Sequence, residues 1–561
     1  MGSHKTMLLL LGAMMTLGCT RQTEQMDAKT FDTFIAGHLE RVKPLQRESA
    51  LAYWEAATTG NEEAYARSSE LELKIREIYS DPDEFAFLRD LRESGSINDP
   101  LLVRQLQILY NAYLVNQIEP SLLKQIVELG TDIEKKFNTF RGTISGQKVT
   151  TNEIKEILKK EIASDKRKQA WLADKQVGPV VSDDLIRLIK LRNQAARTVG
   201  FEDFHTMTLA SGEQDVKEVD EIFSELQELT DNPFSRIKGE LDQILSGMYG
   251  VPADELMPWH YHDPFFQETP MVYELDLDPY YKERDIKKLA QEFFSGIGMP
   301  VESIVARSDL YEREGKNPHA FCTDIDRLGD VRVLCNLKNN ETWMETILHE
   351  LGHGVYDLYH DPEVPYLLRE PAHAFTTEAV AMFFGRLSRN PAWMQAMLDL
   401  SDAQRADIEK VSAKYAQLKQ LIFARWAMVM YNFEKALYAE PDQDLNRLWW
   451  DMVKKYQMVN RPSNRDEPDW AAKIHFTIAP CYYHNYMLGE LFASQLQNAM
   501  VHNVLKQDSD KGVGYVGQEE AGNFLRENIL RAGKVYPWNE MIRKATGERL
   551  TAKYFVAQFV E

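Results

Sequence analysis

The sequence predicts a mainly α-helical protein with one small β-sheet. Three observations carry that prediction. Apolar residues recur at spacings of three and four along most of the chain, one stretch between Ala320 and Leu337 reads as a strand hairpin, and no fixed-period repeat or low-complexity block interrupts the pattern. With 561 residues there is material for about four domains of ~150 residues or for one large multi-lobed body. Hydrophobic residues at 44% and charged residues at 27% exclude a disordered or fibrous chain.

At the amino terminus Lys5 precedes the apolar run Met7 to Leu17, about half of the ~20 residues that span a bilayer, and Gly18-Cys19 follows. This is signal-peptide architecture, and Thr16-Leu17-Gly18-Cys19 is similar to a bacterial lipobox, although Thr16 stands where Leu is usual. The expectation is a lipoprotein-type signal peptide over 1–18, lipidation of Cys19, a tether over 19–30, and an exported protein held on a bacterial membrane, facing the periplasm or the cell exterior, by its lipid alone. The bland alternative is an uncleaved buried helix. The start MGSHKT also fits N-myristoylation, which leaves the apolar run unexplained.

From Phe31 to Phe137 the pattern is helical, as in Leu71, Ile75 and Ile78 or Leu102, Leu106, Leu109 and Tyr110. Ser182-Asp183-Asp184 reads as a cap feeding Leu185, Ile186, Leu188 and Ile189, with Gly200 ending that helix. Residues 250–282, rich in Pro, aromatics, His and acids, read as an irregular connection that lines a cleft or links two halves. HAFCTDID and VRVLCNL flank RLGD as a hairpin, and helical patterns then continue to the end.

Charge and cysteine content narrow the function. Acids outnumber bases 86 to 65, a balance of −21, which argues against a broad nucleic-acid surface. Four cysteines are too few for a disulfide scaffold.

The chemistry concentrates in His349-Glu350-Leu351-Gly352-His353. On a helix the two histidines lie one turn apart on one face, where both imidazoles can bind one zinc ion, and Glu350 beside them can take a proton from the water that zinc activates. A catalytic zinc takes three protein ligands. A third His six residues on is absent, because that position is Tyr359 and the Gly expected before it is Tyr356. Glu363, Glu370, His373 and Glu378 remain. Glu378 is preferred because it lies in the small, apolar pattern FTTEAVAMFFGRL, where an unpaired carboxylate would be costly to bury; the alternative is that it caps its own helix.

HELGH with Glu378 downstream and PHAFCTDI upstream resembles the glutamate-zincin peptidases. LIRLIKLRNQAARTVGF, RLWWDMVKKYQ and AAKIHFTIAPCYYHNYM resemble, in order and approximate spacing, segments of the angiotensin-converting-enzyme family within that group, from about residue 30 to the end. Thimet-type oligopeptidases are the nearest relatives. The resemblance implies a large helical fold of two lobes, a single domain over 31–561, around a central substrate channel. One small sheet would lie beside the zinc helix and the N-terminal helices would form a lid. It implies that His349, His353 and Glu378 bind one Zn2+, with Glu350 as general base and later proton donor. Further matches imply that His319 and Ala320 hydrogen-bond substrate backbone, His475 holds a substrate carbonyl and Tyr486 stabilises the oxyanion. Lys473 and Tyr483 would hold the substrate's C-terminal carboxylate. Tyr482 is the alternative in the tyrosine register, since one residue must be inserted after His475.

Departures from the family pattern also carry expectations. The glutamine that would complete the carboxylate site falls near Trp259-His260-Tyr261 and is not plainly there, which weakens strict dipeptide release. Of the chloride-binding arginines only Arg197 is matched, the others falling at Val453 and Asn485, so chloride activation is expected to be weak or absent. An acid one turn after Glu378 is Met382. Cys322 and Cys335 are symmetric about RLGD, leaving open a bond across the hairpin or two free buried thiols. The implied activity is hydrolysis of short peptides by a monomer, releasing C-terminal dipeptides. The alternatives are internal cleavage of short peptides, or a catalytically silent peptide-binding lipoprotein.

Overall fold

Proline opens three of the N-terminal helices, where its missing N–H costs nothing, and an acid caps each. The computed structural model describes residues 27–272, 276–509 and 512–560, with the backbone alone for 5–26. Helix α1 spans Lys5–Thr59 and α2 Glu62–Tyr79, followed by α3 (Pro82–Ser94), α4 (Pro100–Leu114) and α5 (Pro120–Thr139). Asp81 accepts the Asp83 and Glu84 N–H groups at 2.9 Å, and Asp99 those of Leu101 and Leu102 at the same distance. Residues 27–30, at the end of the expected tether, are helical within α1. The signal peptide and the lipidation expected at Cys19 lie outside the described residues.

Helices α1, α3 and α4 bury a small core of their own, including Phe31, Leu88, Leu106, Leu109 and Tyr113, which one residue of the larger body, Leu367, completes. Polar latches hold this layer down. Arg104 of α4 pairs through both terminal nitrogens with Glu213 and donates through Nε to the Lys534 carbonyl at 2.6 Å. At the end of α1, Arg313 donates to the Thr58 carbonyl at 2.6 Å and the Asn317 N–H to that of Ala57 at 2.8 Å.

Strands β1 (Gly142–Ile144) and β2 (Gln147–Val149) form a second small sheet that the sequence reading missed. Each has three residues, too short for alternation to register, and Ser145-Gly146 makes the turn with φ of 51° and 82°. Helix α6 (Gly178–Thr198) begins before the Ser182 expected to cap it, because Pro179 already sets the first turn; Gly200, at φ 93°, closes it as expected. After the long α7 (Val216–Tyr249), the described part of the expected irregular stretch 250–282 is irregular apart from two short turns and a single helical turn at Asp278–Tyr281, which the sequence reading did not foresee.

The expected hairpin is β3 (Phe321–Asp324) against β4 (Val331–Leu334), antiparallel with Phe321 opposite Leu334 and Asp324 opposite Val331. This register settles the cysteines. Cys322 faces Val333, so Cys335 stands on a diagonal, roughly 7–8 Å away in such a ladder and beyond disulfide reach, and both thiols are free.

A single large core runs from Leu129 to Val556, with helix α8 (Glu341–Leu358) at its centre. Asn340 caps α8 by accepting the Trp343 N–H at 2.9 Å, and Met344, Ile347, Leu348, Leu351 and Val355 bury its apolar stripe. Against α8 lies α9 (Ala374–Gly385); α10 (Asp402–Ala439) carries α11 (Leu445–Gln457) and packs on α12 (Tyr483–Asn498), which in turn packs on α9. No helix among the described residues is long and apolar enough to cross a membrane.

Helices α8 and α9 touch backbone to backbone at Gly352. A Cβ there would sit 2.7 Å from the Ala381 Cα and 3.2 Å from its nitrogen. Alanine normally gains ~1 kcal/mol over glycine inside a helix, but overlap with backbone outweighs that gain, so Gly352→Ala is expected to destabilise by about 1–3 kcal/mol. Gly239, in α7, has open space around its missing Cβ, and Gly239→Ala is expected to stabilise by about 0.5–1 kcal/mol. Paired thermal melts of the two variants check both signs.

Candidate metal centre and active site

Residues four apart on a helix share a face, and α8 uses this to stand the His349 and His353 rings 4.9 Å apart at 84°. Helix α9 supplies the third group. His373 accepts the Phe375 N–H at its start, the Thr376 hydroxyl accepts the His373 N–H at 3.1 Å, and Glu378 follows one turn into the helix. Its carboxylate reaches His349 Nε2 at 3.7 Å and His353 Nε2 at 4.0 Å. The three donor atoms lie within 4.8 Å of one another, the one such group among the described residues. Thr377 orients a ligand: its hydroxyl lies 2.7 Å from His353 Nδ1, so a proton on Nδ1 leaves the Nε2 lone pair facing Glu378.

The electrostatics fit a missing cation. Burial lowers His349 to about 4, against the pull of Glu345, and burial with the neighbouring His349 lowers His353 to about 3. Both rings are therefore neutral near pH 7, as metal ligands must be. Burial raises Glu378 to about 6, and burial followed by the Glu378 charge raises Glu350 to about 8. A divalent cation supplies the counter-charge these carboxylates lack, and two imidazole nitrogens with one carboxylate form a donor set suited to zinc.

None of the other candidate ligands joins this group. Glu363 is exposed, Glu370 is paired with Arg327 and Lys534, and His373 caps α9. The triad and Glu350 open onto a cavity of about 570 Å³ that Ala320, Cys322, Asp357, Glu370 and Lys534 also line. Of the two strand residues, Ala320 is on the cavity wall, whereas His319 is exposed and precedes β3.

Helix α12 joins this centre to a second cluster. Gly489 lets it approach Glu378, whose Cβ would be 3.4 Å from an added methyl. Tyr486 and Tyr482 both feel the Glu378 charge, which adds to burial in raising their hydroxyls, and their rings are 5.2 Å apart. Tyr486 is also 5.4 Å from the Tyr483 ring, which in turn is 5.2 Å from His475. The Tyr483 hydroxyl accepts from the Trp426 indole at 2.6 Å. Lys473 lies over Trp426 and Tyr483 at 5.0 and 5.4 Å. Tyr483 therefore stands with Lys473, while Tyr482 faces the triad with Tyr486.

The structure also supplies a glutamine that sequence reasoning missed. Gln267 Oε1 accepts from Lys473 Nζ at 2.6 Å. Buried Asp263 folds the loop that presents it, accepting the N–H groups of Phe265, Gln267 and Glu268 at 2.8, 2.9 and 3.0 Å. At the expected positions, His260 bonds Ser164 and the Met257 N–H, and the Tyr261 hydroxyl donates to Asp242. The turn gathered by Asp263 brings Gln267 into place, and nothing in the local sequence marks it. Arg197 is exposed and donates to the Glu202 carbonyl, while Asn485 bonds Gln214.

Comparison with known proteins agrees with this geometry. The family model described as angiotensin-converting enzyme, peptidase family M2, matches residues 24–560. The chain is 23% identical over 461 residues to an angiotensin-converting enzyme of Haematobia irritans exigua, covering 73% of this chain and 72% of that protein. It is 22% identical to the angiotensin-converting enzyme-like protein Ace3 of Mus musculus, over 70% of this chain and 56% of that one. Thermostable carboxypeptidase 1 of Pyrococcus furiosus is 24% identical over 42% of this chain and 51% of its own length. With the family model matched across nearly its whole length, the chain belongs to the angiotensin-converting-enzyme family of peptidases.

Proposed function

We propose that this protein is a zinc-dependent peptidase that removes dipeptides from the carboxyl end of short peptides. The observation that carries the reading is Lys473. Its ammonium is buried, with a neutral amide oxygen as its hydrogen-bond partner and no ion-pair partner among the described residues. Burying a cation without a counter-charge is costly, and a substrate's terminal carboxylate supplies one. The Pyrococcus furiosus relative is named a carboxypeptidase, which supports cutting near a carboxyl end.

His349, His353 and Glu378 would hold the zinc ion, which when bound lowers the pKa of water and polarises a carbonyl. Glu350 is the base. A cation held by the triad would favour its ionised form, which can take a proton from the attacking water and then return it to the leaving amine. Tyr486 donates its hydroxyl to the oxygen that becomes negative as the carbonyl turns tetrahedral, and His475 steadies a neighbouring substrate carbonyl. Lys473, Gln267 and Tyr483 fix the terminal carboxylate and so choose the bond presented to Glu350. Ala320, on the cavity wall, with His319, offers main-chain groups to an extended peptide. Chloride dependence is expected to be weak.

Glu350→Gln is expected to reduce turnover about 10²- to 10⁴-fold while leaving metal content intact, read by product mass spectrometry and elemental analysis. Full activity in that variant, or in metal-free protein, overturns the mechanism. C-terminal amidation is expected to raise KM about tenfold to a hundredfold. Burial lowers free Lys473 to about 7, against the pull of Asp263, so the ammonium is lost as pH rises. KM for free-acid peptides should therefore climb above about pH 7, and KM for amides should not. The N-terminal signal supports export and acylation at Cys19, so radiolabelled palmitate incorporation is expected to vanish in Cys19→Ala.

A further inference from the structure

The triad cavity contains a carboxyl group with no assigned partner. Asp357 lies one turn beyond His353 on the same face of α8 and lines that cavity. Among the described residues its carboxyl has no hydrogen-bond or ion-pair partner. The acids around it are committed. Glu370 is held by Arg327 and Lys534, and Asp324 accepts the N–H groups of Asp326 and Arg327 at 3.2 and 2.8 Å. Arg327 is committed as well, with its guanidinium 5.0 Å over the Tyr366 ring. Burial, with Asp324 and Glu370 nearby, pushes the Asp357 carboxyl well above its ordinary range, as expected for an anion short of a counter-charge.

The cavity also has a direction. It is lined by the triad, Asp357, Glu370 and Lys534, and by none of Lys473, Gln267 or Tyr483. If the C-terminal side of the substrate lies at Lys473, the N-terminal side lies here. One helical turn rises ~5.4 Å, and an extended peptide advances ~3.3–3.6 Å per residue. Asp357 is thus within reach of the first two residues before the scissile bond.

We propose that Asp357 forms a subsite for a cationic group on the N-terminal side of the scissile bond, either a basic side chain or a free α-amine. The proposal rests on the peptidase reading above, with the scissile bond at the triad. An ammonium or guanidinium entering there meets a half-buried carboxyl group, favours its ionised form and completes an ion pair that the protein leaves open.

The test uses N-acetylated hexapeptides with a free carboxyl end. Each carries Lys, norleucine or Glu at one of the two positions before the bond mapped by mass spectrometry, and a further norleucine peptide has a free N-terminus. In the unmodified protein, one of the two cations is expected to raise kcat/KM about tenfold over acetylated norleucine. Asp357→Asn should bring that ratio to within about twofold of one, and Asp357→Glu, which keeps the charge, should retain a preference and guards against a misfolded first variant. The peptide that gains identifies side chain or α-amine as the ligand. No gain from either cation, a preference for Glu, or an unchanged ratio in Asp357→Asn overturns the proposal. Peptide Kd values measured on Glu350→Gln protein, with and without Asp357→Asn, read the subsite without turnover. Absence of hydrolysis thus defeats the peptidase reading, and absence of a cation preference in Kd defeats this one.

Discussion

The active centre depends on one close approach, the backbone of α8 against that of α9 at Gly352 and Ala381. Residues one turn apart present two imidazoles on one face of α8, but the carboxylate must come from another helix, and its position is set by how near the axes can come. The missing Cβ removes the obstacle. Gly352 is thus part of the site although it touches no ligand, and the same logic recurs where Gly489 admits α12 to the other side of Glu378. Rigid helices, not loops, carry both histidines, the third donor and Tyr486, with Tyr482 at the N-cap of α12, which suits a centre that must hold its geometry within fractions of an ångström.

A second regularity is that the site is built from charges left incomplete. Two imidazoles and a carboxylate converge as a metal-binding group would, the Lys473 ammonium bonds only an amide oxygen, and the Asp357 carboxyl beyond His353 has no ion-pair partner among the described residues. Each arrangement costs folding energy that a bound ion or a charged substrate group would offset. A protein selected for stability alone would replace such groups with hydrocarbon, so their persistence in a cavity is the physical mark of a binding site.

Much of this was legible in the sequence, for identifiable reasons. Helical spacing reports burial directly, so the helices along 31–137 and the course after the hairpin were readable, and HELGH places both histidines of the candidate metal group and the glutamate beside them in five consecutive residues. Glu378 was reachable because a carboxylate in so apolar a helix needs a partner. What escaped reading depends on chain that doubles back. Strands β1 and β2 are too short to alternate, and α6 starts at a proline ahead of the serine that looked like its cap. Gln267 arrives beside Lys473 only because Asp263 gathers three amides into a turn. The cysteines that looked symmetric about RLGD are offset by two residues in the ladder, which no count of residues between them reveals.

The latch at Arg104 has a mechanical side. The guanidinium grips the main chain of Lys534, whose side chain forms part of the wall beside the triad, and also Glu213, whose carbonyl accepts from the Trp538 indole. The covering layer of helices is therefore tied to the cavity wall: through Arg104 the position of α4 is coupled to that of the segment carrying Lys534.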